Sequence, residues 1–260
     1  MQPIHKSDEL LESMESWLSN QNFITEFRLM GLLKDIDNYF SGLRKNYAKA
    51  LAYSLIKDLK KAEYYFELSL QIPDAHYATN YMAIVNNYGS IIKTKELSER
   101  FAEEYESISF STLAFESSLY WADMERAEYY IQKAIKLSND EDRMKLKDDF
   151  ESANLALSRF KEKAGFEKDE AKLLSSIIMN ILESNNIRIK GISYIYEQNH
   201  EEKLNTYIVT AQCEDPSKIA DMNMDLAFKL AEYDELLDKN FSAIIRGCST
   251  NTDGGIAPCL

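Results

Sequence analysis

From about residue 7 to residue 163 the chain is an almost unbroken succession of helical patterns with very little room between them. Ser7 followed by Asp8 and Glu9 reads as an N-cap with an acidic first turn, and Leu10, Leu11, Met14, Trp17 and Leu18 then recur at helical spacing. A second amphipathic stretch runs from about Ile24 to Leu43, with Phe27, Met30, Leu33, Ile36 and Phe40 on one side. Further helices are expected at about 44–57, 59–72, 76–92, 94–106, 109–121, 123–138 and 140–163. Links of one to four residues force each helix to return beside its predecessor, so the chain can fold only as a stack or bundle of antiparallel hairpins.

Glycine (8) and proline (4) are scarce in these 260 residues and 45% are hydrophobic, which suits packed helices and argues against disorder or a turn-rich all-β protein. The character changes after Ala164-Gly165. A helix at about 167–184 is followed by "IRIKGISYIYEQ" and "LNTYIVTAQC", whose Ile, Val, Tyr and Thr content is that of strands joined by a polar "NHEEK" loop. Gly191 marks an expected bulge, because the alternation frame shifts across it. A helix starting at Asp215-Pro216 and a strand "NFSAIIRG" complete the order αββαβ. The expected organisation is a mostly α fold: a helical-hairpin array over 1–164, a small α+β domain over 165–247 and a flexible tail at 248–260.

The four letters AEYY occur twice, at Ala62 to Tyr65 and Ala127 to Tyr130. Ala62, Phe66 and Ser69 in one copy, and Ala127, Ile131 and Ala134 in the other, give a small-large-small pattern that lets two helices approach closely. Leu97, Phe101 and Glu104 occupy the same frame between them. With Ala50, Tyr53, Tyr81, Ile84, Val85 and Tyr88 on the preceding helices, residues 43–138 resemble the tetratricopeptide repeat family in degenerate form. Asn46, Lys49, Ser111 and Ser118 depart from the large apolar residues of that pattern.

That resemblance implies recognition of an extended peptide or helix in a groove lined by the first helix of each pair. Carried over by frame, the groove would present Arg44, Tyr47 and Leu51, then Met82 and Asn86, then Thr112 and Glu116. Asn86 offers both a donor and an acceptor to a peptide backbone. The family's basic pair for a C-terminal carboxylate is not reproduced.

A formal charge of -13 opposes association with phosphate backbones or anionic lipid and favours a basic partner. No apolar run reaches membrane-spanning length, and an acidic N-terminal stretch interrupts any signal-like core, so the expected location is the cytoplasm. Cys213, Cys248 and Cys259 lack metal-ligand spacing, and His5, His76 and His200 lie far apart, so neither a metal nor a cofactor is implied. The glycine-rich phosphate loops and the nucleophile-elbow motif are missing from the sequence. The C-terminal order resembles one class of KH RNA-binding fold, yet 216–240 contains no glycine for its backbone clamp.

The sequence therefore points to a noncatalytic interaction protein that sequesters or regulates a basic partner, with the α+β module as a candidate for dimerisation. Two alternatives stand beside it: an enzyme or accessory with a site where helices meet the sheet, and a regulator linked to nucleic acid.

Overall fold

The computed structural model describes residues 6–167, 169–198 and 203–249. The chain divides into two compact units, Met1–Gly89 and Ser90–Leu260. This differs from the division expected at 164/165, for a reason given below. The hairpin loop at 199–202 and the tail from residue 250 lie outside the described residues.

The first unit is helical: α1 (Lys6–Ser19), α2 (Glu26–Tyr39), α3 (Gly42–Ser54), α4 (Leu59–Ser69) and α5 (Ala75–Tyr88). Its links are made by caps rather than by long loops. Thr25, Asp58 and Asp74 each accept a hydrogen bond from the backbone N–H three residues on, satisfying a donor the helix start leaves unpaired. Met14, Ile36, Tyr47, Leu51, Phe66 and Tyr81 form a core closed to solvent. The expected face of α2 needs correction. Leu29, Leu32, Ile36 and Phe40 are buried, whereas Phe27 is 90% and Met30 68% exposed. The helix is apolar on two sides, so periodicity finds a face without deciding which one is covered.

The second unit begins with α6 (Ile91–Glu104), α7 (Ile108–Tyr120), α8 (Met124–Leu137) and α9 (Asp140–Ala164). After α10 (Glu170–Ser184) come β1 (Ile189–Gln198), β2 (Lys203–Ala211), α11 (Pro216–Leu230), the single turn α12 (Asp234–Leu237) and β3 (Ser242–Gly247). β2 is central, antiparallel to β1 and parallel to β3. The register slips between Ile189 and Gly191, where the sequence places its bulge. The fold is a helical-hairpin array followed by a small α+β part of order αββαβ, with α12 added before the last strand.

One face of the sheet, carrying Tyr207, Val209, Ala211 and Ile245, packs into a core shared with Leu174, Ile178 and Leu182 of α10 and Met222 and Leu226 of α11. Helices upstream of residue 164 belong to the same body. Phe160 of α9 lies 5.0 Å from Tyr194 and 6.0 Å from Tyr207, ring centre to ring centre. Asn205 donates to the carbonyls of Phe160 and Asn240, each at 3.2 Å. The N–H of Ile91 donates to Glu183 at 2.9 Å, and Lys172 pairs with Asp123 at 3.0 Å. The compositional change at Ala164-Gly165 marks a switch of secondary structure inside one core, which is why it is no boundary between compact units.

Candidate interaction site on α7 and α9

The two AEYY segments sit on α4 and α8, each the second helix of a closely packed pair, α3–α4 and α7–α8. Ala62, Phe66 and Ser69, and Ala127, Ile131 and Ala134, are all fully buried. Tyr65 stacks on Tyr53 of α3 with centroids 5.5 Å apart, and Tyr130 is buried, while Tyr64 and Tyr129 face solvent. The intermediate frame is looser: Leu97 and Phe101 are buried but Glu104 is exposed.

The turns agree as closely as the helices do. Lys57 and Ala122 take the left-handed conformation, at φ 58° and 52°. The next residue in each case, Asp58 or Asp123, caps the following helix, and its own N–H returns to the carbonyl of Tyr53 or Ser118. Asp58 and Asp123 are 65 residues apart, and that offset carries Tyr47 onto Thr112 and Leu51 onto Glu116.

The seven residues expected to line a groove fare differently. Tyr47, Leu51 and Met82 are buried, so they are core residues and offer a partner no surface. Tyr47 is covered by α1, which packs on α3. Glu15 Oε1 accepts from the Tyr47 hydroxyl at 2.6 Å and pairs with His76 Nε2 at 2.8 Å, and the Asn80 amide donates to the Tyr47 oxygen. Burial first, and then the hydrogen bond it donates to Glu15 and the charge of that carboxylate, hold the Tyr47 phenol well above its ordinary range, so it stays a neutral donor. Arg44 is exposed and paired with Asp8 of α1. It borders a shallow cavity of about 370 Å³ lined by Ser7, Asp8, Tyr39, Phe40 and Ser41. Asn86 is half-buried on α5. The face of α3 that the family pattern would leave open is thus occupied by the chain's own first helix, which no repeat pattern could reveal.

Thr112 and Glu116 are placed together, one turn apart on α7, both half-buried. α9 approaches α7 here: the rings of Phe115 and Phe150 meet at 6.3 Å, and Asp149 faces Glu116 closely enough for their charges to interact. Burial, with a smaller contribution from Asp149, pushes the Glu116 carboxyl up to about 7. Among the described residues no hydrogen-bond donor or cation reaches Glu116. A half-buried carboxylate therefore stands where the matching hairpin has the fully buried Leu51, beside a second carboxylate and, among the described residues, without a hydrogen-bonding partner. The sequence places Glu116 in the frame and gives Asp148-Asp149 the look of a solvated carboxylate run on a helix face; that Asp149 lies beside Glu116 is not legible, because α9 lies outside the repeated segment.

The chemistry of this arrangement is that of an acceptor. An arginine or lysine entering between α7 and α9 would restore the charge that burial opposes, with Thr112 one turn away as an adjacent hydroxyl. No three His, Cys, Asp or Glu side chains gather to hold a metal ion among the described residues. Where α9 meets the sheet, the space is filled by Phe160, Phe166, Tyr194, Tyr207 and Phe241. Among the described residues, no helix is long and apolar enough to cross a membrane. No family model, curated protein or solved structure matches this chain.

Proposed function

We propose that this chain is a noncatalytic regulatory protein, a tetratricopeptide-like helical-hairpin scaffold that captures a basic protein or peptide. The observation that carries the reading is Glu116: a scaffold alone would favour an apolar residue there, as at Leu51, and a half-buried carboxylate without a protein partner among the described residues stands there instead. Perturbed groups of this kind concentrate at sites of function. The net charge of -13 supports the same partner chemistry by steering cations toward the molecule. Two described cysteines, Cys213 and Cys248, are free thiols, which fits work in the cytoplasm.

The test is affinity capture from the native host on immobilised wild type and Glu116→Gln, read by mass spectrometry at low and high salt. Basic partners retained by the wild type, lost at high salt and depleted on the variant support the reading. The same acidic, salt-insensitive partner on both surfaces overturns it.

A further inference from the structure

The outer surface of α11 carries a second apolar stripe that the core does not use. Ile219, Met222, Leu226 and Leu230 turn inward. On the opposite side Ala220, Met224, Ala227, Phe228 and Ala231 are all exposed, at the i, i+4, i+7, i+8, i+11 spacing of one helical face. Met224 is 61% and Phe228 67% exposed, and Leu237 of α12 adds a third large apolar side chain beyond the helix end. Isolated exposed apolar residues need no explanation, but a continuous stripe on a helix already anchored by its other face does.

The anchoring is firm. The Asn223 amide donates to the Ile245 carbonyl at 2.7 Å and accepts from the Ile245 N–H at 2.8 Å. This two-point bond covers the middle of β3 on the side away from β2, so a partner strand cannot pair there without displacing it. The available surface is the helix face.

Charge selects its occupant. Asp221, Asp225 and Glu232 flank the stripe on one side, and of the two lysines of α11, Lys218 and Lys229, the latter is paired with Glu232 at 3.0 Å. Across residues 214–238 eight acidic side chains face two basic ones. A second copy docked antiparallel on the same helix would bring the same acidic edge against itself, Asp225 near its own counterpart and Asp221 near the other copy's Glu232, and an anionic membrane would be repelled. A helix with an apolar stripe bordered by Lys or Arg satisfies both features.

We propose that the exposed face of α11 docks a basic amphipathic helix of a partner protein, at a surface separate from Glu116. The full chain is titrated against a labelled synthetic helix of Leu and Lys, with the same peptide bearing Glu in place of Lys as control, by fluorescence anisotropy. The Lys peptide should bind, more weakly at high salt, and the Glu peptide should not. Met224→Ser with Phe228→Ser should weaken binding by about tenfold or more, since exposed anchors of this kind dominate small interfaces. Asp221→Lys with Asp225→Lys should transfer preference to the Glu peptide. Unchanged binding to the Ser variant overturns the proposal. Loss of binding on Glu116→Gln alone assigns the peptide to α7 and α9 and also overturns it, while leaving the proposed function intact. Sedimentation showing a dimer that Phe228→Ser dissolves makes a second copy the occupant and overturns it as well. Both substituted side chains project into solvent, so circular dichroism should show the variants folded.

Discussion

The α3–α4 and α7–α8 hairpins are built to one plan and finished differently. They share the AEYY helix, the left-handed residue before an aspartate cap, and the return of the capping residue's N–H to the carbonyl five residues back. In the first, α1 lies over the leading helix, and its Glu15 is met by Tyr47, His76 and Asn80. In the second, α9 approaches the leading helix and Glu116 has no such company, only Asp149. A carboxylate that closes one hairpin is fully employed; a carboxylate that stands open in the other is available. The scaffold repeats, and the chemistry is set by single positions on it.

Exchanging the residues at the matching position should give the largest effects. Leu51→Glu puts a charge in a closed core with no partner, and unfolding by denaturant at neutral pH should show a loss of at least about 4 kcal/mol. The reverse exchange, Glu116→Leu, should stabilise the second unit by up to about 3 kcal/mol at alkaline pH. Its sign follows from the raised carboxyl: the charged form is disfavoured in the fold, so the penalty is fully present above about 7 and fades as pH falls toward the ordinary carboxylate range. The gain from Glu116→Leu should shrink accordingly on acidification, apart from a pH-independent packing component. A gain that grows on acidification would reverse the account.

Glu15→Ala is expected to lose about 2 kcal/mol, since it leaves the buried Tyr47 hydroxyl short of its acceptor. Hydrogen exchange should accelerate in α1 and leave α7 to α9 unchanged; equal acceleration in both would deny that α1 is held by this contact. The smallest expected effects are at the turns. Lys57→Gly and Ala122→Gly relieve a left-handed strain of about 1 kcal/mol each, partly offset by the freedom glycine adds to the unfolded chain. Thermal melts should shift by similar small amounts, and opposite shifts would separate the two turns.

Most of the fold was legible because it is written locally. Cap residues, short links and 3.6-residue periodicity specify helices at nearly every expected place, and β-branched and aromatic runs specify the sheet down to the Gly191 bulge. What could not be read were the contacts between segments distant in sequence. Phe27 and Met30 look as suitable for a core as Leu29 and Leu32, and only the three-dimensional packing of α2 decides between them. Tyr47 and Leu51 were expected at a surface because the repeat frame holds no information about α1. Glu116 was in the frame, but its lack of a donor and the nearness of Asp149 belong to the packing of α9.

The central claim is that Glu116 is a half-buried carboxylate, without a protein partner among the described residues, that is available to a cation. Carbon-detected NMR titration of its side chain in the full chain tests this most directly. The account predicts a midpoint of about 7 in the free protein, falling when a partner or an arginine-bearing peptide binds. A midpoint in the ordinary carboxylate range, unmoved by any cationic ligand, would contradict it.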